Sequence, residues 1–312
     1  MKFPFELLPT AEFDVVGFGT NAVDHLIRVP EYPAFDSKVE LTGYAKQAGG
    51  EVASTLVGLQ RLGSRTAYAG RFGADAEGDF GLQTLIDEGV DTSYAELVPG
   101  AATQTAFIVI DERTGERTII WHRDNKLSYQ LTDAPLAAAV LGKVLHITPH
   151  DTLAAIGMAK LAKKSGVIVS IDIDNVVDGI DNLLPYIDIL TASASFPAKF
   201  AGSADDRSAM REIVTRFGCS VVCVTHGNSG SILLCKDEFI ETPAFDVPNG
   251  CKDTTGAGDA FRTGFLYGIL KGEPVEDSAR IANAVAALKC RQFGARSALP
   301  DKHELNTLLK NI

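Results

Sequence analysis

The stretch Asp253-Thr254-Thr255-Gly256-Ala257-Gly258-Asp259-Ala260-Phe261 stands where a loop enters a helix. Behind it, Phe261, Phe265, Gly268 and Ile269 recur at helical spacing and mark a buried face. Two glycines and an alanine let the backbone turn tightly, so that successive N–H groups point one way. Together with the helix N-terminus they make an anion site. An aspartate beside such a site can take a proton from an attacking hydroxyl while a phosphate sits next to it. A plainer reading is a glycine-rich turn with Asp259 as a helix cap. That reading leaves unexplained why so small-residue a loop is bracketed by two aspartates.

Helices are predicted on the C-terminal side of this stretch over 259–271 and 275–291. Upstream, short apolar runs alternate with amphipathic ones. Strands are expected at 13–17, 65–69, 144–148, 167–172, 187–191 and 221–225, and helices at 50–62, 80–88 and 152–164. This alternation predicts the α/β class, a central, mostly parallel sheet covered by helices in three layers. Two segments break the rhythm. Residues 38–47 and 103–122 alternate as strands do, and the second holds a hairpin turn at Asp111-Glu112-Arg113-Thr114-Gly115. They are expected to pair into a small sheet over the ligand crevice. The expectation is one domain over 1–312 with a discontinuous lid from about 32–47 and 103–123.

The chain of 312 residues is 46% hydrophobic and carries a formal net charge of -11. So acidic a chain is a poor partner for nucleic acid or anionic membranes through its overall field. Apolar runs stay well short of a membrane span, and the start of the chain lacks the basic and apolar parts of a signal peptide. A cytoplasmic protein is expected. The cysteines, Cys219, Cys223, Cys235, Cys251 and Cys290, read as reduced core thiols. His146 and His150 have helical metal-pair spacing, but Pro149 and a strand pattern argue against it.

Asp253 to Asp259 resembles the second signature of the ribokinase/PfkB carbohydrate kinase family. Gly49-Gly50, with a helix ending at Arg61-Leu62-Gly63, is similar to its first. The resemblance covers nearly the whole chain and implies a ribokinase-like fold and transfer of the γ-phosphate of ATP to a sugar hydroxyl. It makes Asp259 the base and Gly256, Ala257 and Gly258 the anion hole. Asn21 and Asp24, after the first strand, match residues that bind sugar hydroxyls. Their amide and carboxylate groups suit vicinal diols. Gly49 and Gly50 would allow the backbone close to the sugar. Ser54 stands where members usually carry asparagine, so sugar contacts there are expected to differ. Thr225, Gly227 and Gly230 resemble the nucleotide loop, and Asn283 a position near adenine. Asp253, Thr255, Lys289, Gln292 and Gly294 fall where members hold a monovalent cation, K+, largely through carbonyls; Ala298 replaces a frequent hydroxyl there.

The Asn-x-x-Glu motif linked to magnesium in many members is replaced by Ser193-Ala194-Ser195-Phe196. Magnesium is still expected on the ATP phosphates, with Asp172 and Asp174 as candidates to support it. The substrate framework accepts a sugar, a sugar acid or a nucleoside, and Arg123 could meet an acidic one. A homodimer through the lid is expected, since exposed strands invite pairing. Two rivals stand beside this. Gly17-x-Gly19-x-x-Ala22, with Glu40 further on, formally fits an NAD-dependent oxidoreductase, but that fingerprint needs a helix to open at once. A non-catalytic sugar-binding protein would have no use for Asp259.

Overall fold

The computed structural model describes residues 1–202 and 205–310; positions 203, 204, 311 and 312 of the expected single domain lie outside them. The chain enters as β1 (Phe13–Phe18), turns at once into β2 (Ala22–Val29) and returns as β3 (Gly43–Gly49). Next come α1 (Glu51–Arg61), β4 (Thr66–Gly73), α2 (Ala76–Asp87), β5 (Asp91–Val98) and the hairpin β6 (Thr105–Asp111) and β7 (Arg117–His122). A second alternating run holds β8 (Gly142–Ile147), α3 (Thr152–Lys164), β9 (Ile168–Ile173), the short α4 (Ile180–Leu183) and β10 (Ile189–Ser193). It continues through α5 (Ser195–Ala201), α6 (Asp206–Phe217) and β11 (Val221–Thr225). The end is β12 (Ser231–Cys235), β13 (Glu238–Thr242), α7 (Ala257–Lys271), α8 (Val275–Lys289) and α9 (Lys302–Lys310).

The large sheet has the order β13-β12-β11-β10-β9-β8-β1-β4-β5. Its pairs are parallel from β5 to β11, and β12 and β13 close it antiparallel. Continuous apolar runs form these strands because helices cover both faces. Val15, Val144, Ile189 and Val221 face one layer with Leu56 of α1 and Phe265 of α7. Their neighbours Val16, Leu145, Leu190 and Val222 face the other, with Met158 of α3 and Met210 of α6. The period of two puts adjacent residues on opposite faces.

The small sheet has the order β3-β2-β6-β7. Its second strand was not anticipated: β2 carries Asp24, His25 and Arg28 among its apolar residues, which breaks the alternation. Residues 38–42, expected in the lid strand, are not in a strand, and β3 begins at Gly43. Cross-strand register sets Gln47, Asp24, Ala106 and Trp121 in one row. Leu26, Ala106, Ile108 and Ile110 form a small core under this sheet with Ala45 and Phe293. The turn after β1 leads into a strand, so the helix that a dinucleotide fingerprint requires is missing there.

Candidate active site

The glycine-rich loop ends at Gly256, whose φ of +74° lets it close the N-terminus of α7. A Cβ there would meet the Cα of Ala295 at 2.8 Å. Among the described residues the N–H groups of Gly256, Gly258 and Asp259 carry no hydrogen bond, so the helix keeps orphan donors as an anion site. Asp259 lies in the first turn and its side chain caps nothing. Thr263 donates to the Asp259 carbonyl at 2.9 Å and to that of Thr55 at 3.2 Å, which fastens α7 to α1. Burial pushes the Asp259 carboxyl up, to about 8; Arg262 pulls it down, while Glu51 and Asp174 push it further up.

Arg262 was not anticipated. Its side chain is buried, ion-paired with Asp172 and 3.4 Å from Asp174. A Cβ on Gly258 would come within 2.2 Å of Arg262 Nη1, so the guanidinium lies against the second residue of α7. Its Nε is buried with no partner among the described residues. Asp172, read as a candidate to support magnesium, is buried at the end of β9 as the counter-ion of Arg262.

On the substrate side, Asn21 donates to Tyr68 Oη at 2.5 Å and to the Arg71 carbonyl at 2.9 Å, which leaves its buried Oδ1 without a partner among the described residues. Asp24 is 4% exposed with no hydrogen bond to its carboxylate among the described residues, and burial pushes it up to about 6. A Cβ on Gly49 would sit 2.0 Å from Asp24 Oδ2, and one on Gly50, at φ +90°, would sit 2.3 Å from the Asn21 Cα. Both glycines are therefore needed for the chain to pass this close. Ser54 is a correction: it is fully buried and accepts from Arg296 Nε at 3.2 Å, so it offers nothing to a substrate. Arg296 fills the room a shorter side chain leaves and donates from Nη2 to the Gly49 carbonyl. Glu51 was missed too. It accepts from Thr20 at 2.9 Å and stands 3.6 Å from His150 Nδ1. Arg123 is held by Asp151 at 2.8 Å, with further bonds to Ser128 and the Leu127 carbonyl. Trp121, 57% exposed on the lid, meets the His150 ring edge-on at 6.5 Å between centroids.

Thr225 ends β11, and Gly227 and Gly230 turn the chain back at φ +56° and +93°. A cavity of about 620 Å³ opens beside this turn, with Ser229, Ser231 and Thr242 among its lining residues. Asn283 is buried and donates to Ser231 Oγ at 3.0 Å, which ties α8 to the start of β12. At the positions expected around K+ the chain places a cation of its own. The Asp253 carbonyl already accepts from Lys289 Nζ at 2.9 Å, inside the chain. Cys251 is exposed, unlike the other cysteines, and all are free thiols. Among the described residues no helix is long and apolar enough to cross a membrane.

Residues 13–302 match the pfkB family carbohydrate kinase. The chain belongs to that family. The match runs from the first strand of the large sheet into α9, so the pfkB fold and both glycine motifs lie within it. A fructokinase of Klebsiella pneumoniae is 32% identical over 289 residues, 84% of this chain and 91% of that protein. A nucleoside kinase of Methanothermobacter thermautotrophicus is 26% identical over 297 residues, 93% of this chain and 94% of that one. The ribokinase of Arabidopsis thaliana, solved with ribose and ATP, superposes with a TM-score of 0.82 at 26% identity, covering 96% of this chain and 99% of that one. The ribokinase-like architecture and the kinase class are thus established for this pfkB chain.

Proposed function

We propose that the chain transfers the γ-phosphate of ATP to a hydroxyl of an uncharged sugar or nucleoside, with Asp259 as the base. The observation that carries this is a half-buried carboxylate, free of any capping bond, in the first turn of a helix where the N–H groups of Gly256, Gly258 and Asp259 are unpaired among the described residues. Asn21 Oδ1, Asp24 and the Gly49–Gly50 backbone take the substrate from one side, and the lid row with Trp121 covers it. ATP lies along Thr225, Gly227 and Gly230, with Asn283 holding β12 behind that loop. The substrate O–H gives its proton to Asp259 as its oxygen bonds to the γ-phosphorus. The bond from that phosphorus to the β,γ-bridging oxygen breaks, and ADP leaves with the electron pair. The amides of Gly256, Gly258 and Asp259 stabilise the charge of the moving phosphoryl group, and Ala257 keeps the turn compact. Magnesium neutralises the β- and γ-phosphate charge when bound. Asp174, 46% exposed at its side chain, fits a role in holding it through water.

Two further points belong to this reading. Both Nη atoms of Arg123 are engaged by Asp151, Ser128 and the Leu127 carbonyl, while Asp24 and Glu51 line the substrate side, which disfavours an acidic substrate. The outer lid face exposes Tyr44, Phe107 and Ile120, which supports a homodimer clasped through the lids in a reducing cytoplasm. A screen of neutral sugars, nucleosides and sugar acids by ADP release tests the substrate class. Release is expected with a neutral polyol or nucleoside; a preference for a sugar acid would remove the claim of an uncharged substrate.

A further inference from the structure

Lys289 is the last residue of α8, and its side chain is fully buried. A buried ammonium is rare unless something holds its charge. Here its Nζ donates to the Asp253 carbonyl at 2.9 Å and lies 4.0 Å from Asp253 Oδ2. Asp253 is itself fully buried, and its carboxylate oxygens accept from the Thr255 N–H at 2.8 Å and the Gly294 N–H at 2.7 Å. One carboxylate thus gathers the start of the glycine-rich loop and the segment after α8 around one internal cation. Burial lowers the lysine's proton affinity and Asp253 restores part of it.

An alkali ion in a carbonyl cage needs oxygens that converge with their lone pairs free. One lone pair of the Asp253 carbonyl is already taken by the Lys289 ammonium, and Ala298 brings no hydroxyl. A second cation here would also face the ammonium at close range in a poorly screened interior. We propose that Lys289 is a built-in cation: its ammonium fixes the Asp253–Asp259 loop as a bound monovalent ion would, and the chain therefore works without one. The consequence reaches the chemistry because the same loop presents the unpaired amides of Gly256, Gly258 and Asp259.

The proposal rests on the kinase reading for its rate measurements only. ADP release and melting temperature are to be measured in potassium, sodium and tetramethylammonium chloride at equal ionic strength. Wild type is expected to show the same turnover and the same melting temperature in all three. Potassium-specific activation of several-fold, or a potassium-specific rise in melting temperature, would overturn the idea. Lys289→Ala leaves both space and an unbalanced Asp253. Its turnover in tetramethylammonium should fall by about 10-fold or more and recover in potassium or ammonium, whereas Lys289→Met, which fills the space, should not recover. Lys289→Ala with wild-type turnover in tetramethylammonium would also sink the claim. If the variants fail to fold, the wild-type comparison decides alone. If no substrate gives ADP release, the kinase reading fails, and the melting temperatures still decide this one.

Discussion

Asp259 is a carboxylate in surroundings that disfavour its charge. Burial raises it to about 8 from an ordinary 3.8, despite the pull of Arg262. A base must be ionised to accept a proton, so kcat/KM in the free enzyme should climb with pH toward that value. Asp259→Asn removes the acceptor and should cut turnover by about 10²–10⁴-fold, with ATP affinity unchanged; turnover within a few-fold of wild type would end the assignment. The stability sign is opposite. A carboxyl with a raised folded value contributes fully below its unfolded value and loses that contribution as pH rises through the folded one. Wild type should therefore lose melting temperature relative to Asp259→Asn between about pH 4 and pH 8, measured by thermal scans of both across that range. Arg262 belongs with Asp259. An arginine among Phe261, Thr263 and Phe265 on a helix with a buried face was the visible signal, but its partners Asp172 and Asp174 lie some ninety residues upstream, outside the reach of helical periodicity.

Glycines set the geometry at the scale of elements, each for a contact of its own. Where β3 runs into α1, Gly49 lies against Asp24 of the neighbouring lid strand β2. Gly49→Ala would place a methyl 2.0 Å from Asp24 Oδ2, so the carboxylate must move. The expected result is a KM for the sugar-like substrate about 10-fold higher or more, with a stability loss of about 1–3 kcal/mol; an unchanged KM would show that Asp24 does not touch the substrate. Gly258→Ala in α7 separates two effects. It gains helix propensity, up to about 1 kcal/mol, yet its methyl would displace Arg262 Nη1. Turnover should drop while the melting temperature does not, and a variant as active as wild type would remove Arg262 from the machinery. The same reasoning accounts for Ser54. A short side chain in α1 makes room for Arg296, which joins α1, β3 and Thr84 of α2 from the far end of the chain.

Over the whole molecule, the small sheet has one face on the body and one outside. Its outer row pairs His25 with Phe107 and Phe107 with Ile120. Phe107 is 48% exposed and Ile120 59%, and such a patch marks an interaction surface. Sedimentation at micromolar concentration should give a dimer for wild type and a monomer for Phe107→Asp. A monomeric wild type would refute the lid clasp. Turnover of the monomeric variant should fall with it if pairing steadies the closed lid.

The sequence by itself determined what depends on neighbours along the chain. Apolar runs at period two and amphipathic runs at helical period were enough for most of the parallel core, because each element buries a face its own residues define; the parallel edge strand β5, whose residues are half-buried or exposed, went unread. The Asp253–Asp259 loop was equally legible, since tight turns and helix N-termini are local features. Tertiary structure decided everything that required two distant segments to meet. It made β2 a lid strand, although Asp24 and His25 spoil its pattern, because β3 and β6 flank it and complete its hydrogen bonds. It brought Glu51 and Arg262 to Asp259 and Arg296 to Ser54. It also put the Lys289 ammonium on the Asp253 carbonyl. Charge compensation inside a protein is a matter of separation in space, and periodicity along the chain carries no record of that separation.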